Sequence, residues 1–125
     1  MLFDHVDLRV RDLQSARAFY GAWLPLLGLD HREESEDFTV FFSADDGQPF
    51  FAIALDPSHR PGLSRIAFGC ASRAEVDHVA AAAKAAGARA MEDPALCPEY
   101  TPNYYAAFFE DADGNRLEIC YRGEP

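Results

Sequence analysis

The sequence predicts an α+β fold made of two βαβββ modules. Three patterns in its 125 residues support this prediction. In each half, strand-like alternation is followed by apolar residues at helical spacing, and later by strand-like runs that flank an acidic turn ending in glycine. This order of patterns occurs twice, which indicates an internal repeat. We place module 1 at residues 1–56, a linker at 57–63 and module 2 at 64–125, all within a single domain.

The first module opens with a predicted strand from Phe3 to Val10, where apolar and polar residues alternate. Asp12 suits an N-cap, and the apolar residues that follow it recur at helical spacing. These residues are Leu13, Ala16, Phe19, Tyr20 and Trp23. Pro25 and Gly28 are expected to end the helix.

The remainder of the first module is rich in Phe, Val and Ile. This composition predicts three strands between Leu29 and Asp56, with Ser43–Gly47 as the most obvious turn. The stretch Pro57–Leu63 contains two prolines and a glycine, so we predict that it is a linker.

The second module begins with a predicted strand at Arg65–Cys70. Ser72 and Glu75 have the spacing of a capping box, which predicts the start of a helix. Its predicted buried stripe consists of Val76, Val79, Ala80, Ala83 and Ala86. Gly87 is well placed to end this helix.

The second module closes with a predicted strand at Ala88–Met91, a loop at Pro94–Pro102 and a hairpin at Tyr104–Tyr121. Asp111–Gly114 supplies the turn chemistry of the hairpin. Alternate residues of a strand share a face, so Glu118 is predicted to point away from the core, or towards a site. The residues expected on this face of the return strand are Arg116, Glu118 and Cys120.

Composition narrows the classes of partner. The chain has 11 basic and 21 acidic residues, and its formal net charge of −10 disfavours nucleic acid and anionic membrane surfaces. No apolar run has membrane-spanning length, and the opening residues lack the basic flank and long apolar stretch of a signal peptide. Three cysteines without a CxxC pair disfavour a disulfide framework. We therefore expect a cytoplasmic protein whose partners are small molecules or other proteins.

Superposing the two modules predicts four equivalent positions. Aligning the two strand–helix junctions places His5 over Arg65. Aligning the two turn glycines places Phe51 over Glu118.

Two stretches of the chain are similar to a known family. The first holds Asp4–Val10, Asp12-Leu13 and Phe19-Tyr20, and the second holds Phe108–Ile119 with Asp113-Gly114-Asn115 and Glu118. Together with the paired modules, they resemble the glyoxalase, bleomycin-resistance and extradiol-dioxygenase superfamily, also called vicinal oxygen chelate proteins. The resemblance covers nearly the whole chain and implies sheets curled around a cavity. Such proteins include lyases, isomerases, epimerases, dioxygenases, thiol transferases and drug-binding proteins.

The resemblance also implies that metal-dependent members take ligands from the first and last strands of each module. His5 and Glu118 match these positions, whereas Arg65 and Phe51 depart from them. Phe51 has no ligating atom, and the Arg65 guanidinium has no acceptor. We therefore expect no cofactor. If a divalent metal is bound, His5 and Glu118 are its expected ligands.

From this resemblance we predict that His5 and Glu118 are catalytic residues. The predicted substrate-binding residues are Arg65, Phe51, Tyr104 and Tyr105. Arg65 is expected to pair with Glu118 and to clamp an oxyanion, with His5 exchanging a proton near neutrality. A structural role for the ion pair is left open.

Two functions are predicted as alternatives. In the first, the protein binds a small anionic or vicinally oxygenated organic molecule in the cavity between the modules, without the full set of metal ligands. In the second, it is a metal-dependent lyase, isomerase or dioxygenase that uses His5 and Glu118. A stand-alone interaction module with a closed cavity is a third reading. Whether the protein is a glyoxalase- or dioxygenase-type lyase or oxidoreductase is left open, and the resemblance predicts a homodimer.

Overall fold

The computed structural model describes residues 2–45 and 47–123. Asp46, in the predicted turn of the first module, lies outside the described residues. The same is true of the chain ends, Met1, Glu124 and Pro125. No helix formed by the described residues is both long and apolar enough to cross a membrane.

Contacts between Cα atoms divide the chain into two compact units. The first unit is Met1–Arg60 and the second is Pro61–Pro125. Their boundary falls inside the stretch 57–63 that the sequence predicts as a linker.

The first unit is one four-stranded sheet with one α-helix. Its elements are β1 (His5–Val10), α1 (Leu13–Trp23), a 3-10 helix (Leu24–Leu27), β2 (His31–Glu34), β3 (Phe38–Phe42) and β4 (Phe50–Leu55). The strand order is β1-β4-β3-β2, with β1 parallel to β4 and the other neighbours antiparallel. The Asp12 carboxylate accepts a hydrogen bond from the Ser15 amide at 3.1 Å, which confirms the predicted N-cap of α1.

The second unit repeats this topology. Its elements are β5 (Arg65–Gly69), α2 (Arg73–Ala85), β6 (Arg89–Leu96), β7 (Tyr105–Glu110) and β8 (Arg116–Tyr121). The strand order is β5-β8-β7-β6, with β5 parallel to β8. The predicted N-cap is confirmed, because the Ser72 hydroxyl oxygen accepts a hydrogen bond from the Glu75 amide. The Glu75 carboxylate accepts from the amide of Ala71, one residue before the Ser72 amide that a capping box uses. Both sheets are open, and the predicted α+β class with two βαβββ modules is confirmed.

Each unit buries the apolar side of its sheet against its own helix. In the first unit the fully buried side chains include Tyr20 and Trp23 of α1 and Phe41, Phe51 and Ile53 of the sheet. In the second unit the buried residues of α2 are Val76, Val79, Ala80 and Ala83, which are four of the five predicted for its stripe, and α2 contacts β6, β7 and β8. The fifth, Ala86, is the C-cap residue and is only half-buried. Burying such side chains stabilises each unit by about 1.5–3 kcal/mol per large residue.

The predicted strand at Ala88–Met91 is too short. β6 continues to Leu96 and passes through Pro94 at the start of the predicted loop. β6 is an edge strand, where a proline can be accommodated because one side of the strand needs no hydrogen-bond donor. The predicted hairpin turn is confirmed by the hydrogen bond from the Gly114 amide to the Asp111 carbonyl at 3.1 Å.

Candidate functional site

The second sheet has one face against α2 and one face turned away from it. The Tyr105 hydroxyl donates to Asp77 of α2 at 2.7 Å, so the side of β7 that carries Tyr105 faces the helix. Successive residues point to opposite faces, so Phe108 and Glu110 lie on the other side of β7. We call this side the distal face of the second sheet. Its first row across the strands is Arg65, Arg116, Glu110 and Arg89, and its second row is Ala67, Glu118, Phe108 and Glu92.

A pocket of about 220 Å³ opens on the distal face. It is lined by Arg65, Ala90, Glu92, Phe108, Phe109, Glu110 and Arg116. This volume is below the range of about 300–1,000 Å³ that is typical of sites for drug-sized ligands. The pocket therefore suits a small molecule.

Two arginines lie side by side at the edge of this pocket. Arg65 and Arg116 are register partners on parallel strands, and the guanidinium carbon of Arg65 lies 4.8 Å from the centre of the Phe108 ring. Within the part of the chain that the structure describes, neither guanidinium forms an ion pair within 4 Å. The predicted pairing of Arg65 with Glu118 is therefore wrong: the arginine stacks on Phe108 instead.

Glu118 is buried, with 7% of its surface exposed. The Tyr104 hydroxyl donates a hydrogen bond to Glu118 Oε2. Burial raises the pKa of Tyr104 above its ordinary range, and the hydrogen bonds to Cys120 and Glu118 add to this effect. Tyr104 is therefore a neutral donor at physiological pH.

Cys120 belongs to the same cluster and is 8% exposed. Burial raises the pKa of its thiol, while the hydrogen bond with Tyr104 acts in the opposite direction and is smaller. A thiol that is kept protonated is a poor nucleophile. The Cys120 thiol is therefore unsuited to nucleophilic chemistry.

The wall of the pocket at β6 is irregular. Register shifts occur between Arg89 and Glu92, and Ala90 has φ 52°, in the left-handed region. Bulges of this kind redirect side chains and are common beside active sites. Here the bulge brings Ala90 and Glu92 to the pocket and sets Glu92 opposite Phe108.

His5, the other predicted catalytic residue, lies at the start of β1 in the first unit. Its ring stacks on Phe50 with centroids 4.3 Å apart, and its Nδ1 lies 2.7 Å from an oxygen of Asp4. Asp4 also accepts a hydrogen bond from Gln48. The histidine is thus held by an aromatic neighbour and a carboxylate.

Phe51 does not share the strand position of Glu118. The register pairs Glu118 with Ala67 in the second unit and Ala52 with Asp7 in the first. Asp7 is equivalent to Ala67 when His5 is placed over Arg65, so the equivalent of Glu118 is Ala52. The predicted superposition is wrong by one residue. A shift of one residue moves a side chain to the other face, and the Phe51 ring accordingly lies 5.4 Å from that of Tyr20 in α1.

The two tyrosines that were predicted together lie on opposite faces of the second sheet. Tyr104 joins Glu118 on the distal face. Tyr105 bonds to Asp77, and the guanidinium of Arg73 lies 5.4 Å from its ring centre. Tyr104 is therefore the tyrosine on the face that carries the pocket, although it does not line the pocket itself.

Comparison with known proteins identifies the family. Residues 2–119 match the model of the Glyoxalase/Bleomycin resistance protein/Dioxygenase superfamily. The chain belongs to this superfamily.

The chain is also similar to individual proteins over nearly its whole length. The uncharacterized protein YqjT of Bacillus subtilis is 27% identical over 92% of this chain and 94% of its own length. A glyoxalase/bleomycin resistance protein from Albidiferax ferrireducens is 26% identical, with a TM-score of 0.83 over 98% of this chain and 100% of the other. The fosfomycin resistance protein FosX from Listeria monocytogenes shares the fold: it is 23% identical, with a TM-score of 0.72 over 99% of this chain and 94% of the other.

The residues of this superfamily member do not fit the metal site that the resemblance implies. At the four strand positions stand His5, Ala52, Arg65 and Glu118. An alanine has no ligating atom, and a guanidinium has no acceptor. Residues 2–45 and 47–123 also contain no group of three or more His, Cys, Asp or Glu side chains placed to hold a metal ion.

The sequence prediction missed several pocket residues. Alternation puts Arg116 on the same face as Glu118, but only the register of β5 and β8 shows that it lies beside Arg65. Glu92 lies beyond the predicted end of its strand, and only the bulge brings it to the pocket. The sequence predicts that Glu110 belongs to the hairpin, but it predicts no binding role for this residue.

Proposed function

We propose that the protein binds a small organic anion at the distal face of its second sheet. Arg65 and Arg116 would contact the anionic group, and the Phe108 ring would contact the organic part. The observation that supports this proposal is the pair of neighbouring guanidiniums at the edge of a pocket, without a carboxylate within 4 Å among the described residues.

Electrostatics favours an anion at this place. Like charges at directly opposed positions of neighbouring strands are destabilising, so a bound anion would relieve the repulsion between Arg65 and Arg116. Guanidinium groups donate to carboxylate or phosphate in pairs of parallel hydrogen bonds. Two such groups beside one ring suit a ligand with an oxyanion at one end and an apolar part at the other.

The proposal needs no metal, in keeping with the residue types at the four strand positions. Catalytic roles for His5 and Glu118, and the alternative of a metal-dependent lyase, isomerase or dioxygenase, stay predictions. The homodimer and the cytoplasmic location also stay predictions.

Titration calorimetry of a panel of small anions tests the proposal. Acetate, propanoate, butanoate and methylphosphonate would be titrated into the wild type and into Arg65→Gln and Arg116→Gln. A charge-assisted hydrogen bond contributes about 1.5–3 kcal/mol, so each substitution should weaken binding by about 10- to 150-fold.

Arg73→Gln is the matched control. Arg73 also lies over an aromatic ring, that of Tyr105, but on the helix side of the sheet. Its substitution removes the same charge and should change affinity less than twofold. Equal losses in all three variants would show that only net charge matters, and no binding by the wild type would refute the proposal.

A further inference from the structure

We propose that the ligand of this pocket is a zwitterion, such as an amino acid, rather than a simple anion. This inference rests on the proposed function, because it assigns the anionic end of the ligand to Arg65 and Arg116. It adds a cationic end, which Glu92 and Glu110 would receive.

The charges around the pocket are sorted by strand. The two arginines stand on β5 and β8, and the two carboxylates stand on β7 and β6. Glu110 is the register partner of Arg116, one strand spacing of about 4.8 Å away. A ligand that crosses this boundary meets cations at one end and carboxylates at the other.

The carboxylates are available to a ligand. Within residues 2–45 and 47–123, neither Glu92 nor Glu110 has a basic group within 4 Å, although Arg116 stands on the strand next to Glu110. Arg89 is the register partner of Glu110 on β6, but it lies outside the pocket lining and donates to the Ala112 carbonyl at 2.8 Å. The pocket therefore holds two cations and two anions that do not neutralise one another by direct contact.

This arrangement distinguishes between ligand classes. A simple anion gains from the arginines but is repelled by Glu92 and Glu110, whereas an ammonium group on the same carbon skeleton makes both carboxylates attractive. Opposed charges that attract one partner and repel another are the usual source of specificity. The bulge at Ala90 supports the assignment, because it sets one of the two carboxylates at the pocket wall.

Calorimetry with three ligands of one carbon skeleton tests the inference. Butanoate, 2-aminobutanoate and 4-aminobutanoate would be titrated into the wild type and into Glu92→Gln and Glu110→Gln. We expect at least one amino acid to bind tenfold or more tightly than butanoate. Each glutamine variant should lose most of this preference and should bind butanoate more tightly than the wild type does, because one repelling charge is gone. Glu99→Gln, an exposed residue outside the pocket lining, is the matched control and should keep the preference.

The possible outcomes separate the inference from the proposed function. If butanoate binds in an Arg65-dependent manner and both amino acids bind equally or more weakly, the ligand is a simple anion and the inference is wrong. If an amino acid binds more tightly but Glu92→Gln and Glu110→Gln keep the preference, the assigned carboxylates are wrong and the inference fails. If no ligand of either kind binds, the proposed function fails together with it.

Discussion

The hydrogen bond between Tyr104 and Glu118 allows a prediction about stability. Tyr104→Phe removes the hydroxyl that donates to a carboxylate of which only 7% is exposed. A hydrogen bond to a charged group contributes about 1.5–3 kcal/mol, and the carboxylate would lose it without gaining free access to water. Unfolding 125 residues at about 2.1 cal/mol/K per residue has an entropy near 260 cal/mol/K, so each kcal/mol changes Tm by about 4 °C. We expect Tm to fall by about 6–12 °C, measured by circular dichroism or calorimetry at pH 7.

The neighbouring tyrosine provides the control. Tyr105→Phe also removes one hydroxyl, but its partner Asp77 is exposed, so the loss should be below about 1 kcal/mol, or about 4 °C. In a Glu118→Gln background, Tyr104→Phe should lower the free energy of unfolding by only about 0.5–1.5 kcal/mol, the contribution of a neutral hydrogen bond. A Tm for Tyr104→Phe within 1 °C of the wild type, or equal effects at both tyrosines, would refute this reasoning.

Two further predictions concern backbone strain and thiol ionisation. Ala90 has φ 52°, a conformation that costs a residue with a side chain about 1–2 kcal/mol. Glycine avoids this cost but loses more backbone entropy on folding, so Ala90→Gly should raise the free energy of unfolding by up to about 1 kcal/mol. Ala95→Gly in the same strand should lower the free energy of unfolding by about 0.5–1 kcal/mol. Equal decreases of this free energy at both sites, measured by urea unfolding, would show that Ala90 is not strained. Burial, with Glu75 and Cys120 adding to it, raises the pKa of the Cys70 thiol from 9.0 to about 12, so the folded state keeps a proton that the unfolded state releases. The stabilisation is fully present below pH 9 and is lost as the pH rises towards 12. Cys70→Ala, measured in the presence of reductant, should therefore flatten the decline of the free energy of unfolding above pH 9. An unchanged slope would contradict the raised pKa of Cys70.

Local signals predicted most of the fold. The caps at Asp12 and Ser72 lie where their spacing indicated, because a cap involves only residues within one turn of the helix. The hairpin turn at Asp111–Gly114 followed from its residue types for the same reason. The repeat of strand, helix and three strands then gave the α+β class.

The superposition of the two modules on the sequence was wrong about the register of β4. Three chain steps separate Gly47 from the first residue of β4, Phe50, but only two separate Gly114 from the first residue of β8, Arg116. Aligning the glycines therefore shifted β4 by one residue and put Phe51 in place of Ala52. Only the hydrogen-bonded pairing with β1 and β5 reveals the true equivalence.

The sequence by itself determined the two modules, their helices and the presence of Arg65, Arg116 and Glu118 on one side of their strands. These features depend on alternation and on short-range chemistry that is visible in the chain. The tertiary structure decided that Arg65 stacks on Phe108, that Tyr104 holds Glu118, and that a bulge brings Glu92 to the pocket. Such contacts join strands that lie far apart in the sequence. Local propensity cannot predict them, because they depend on the register of the strands and on side-chain packing.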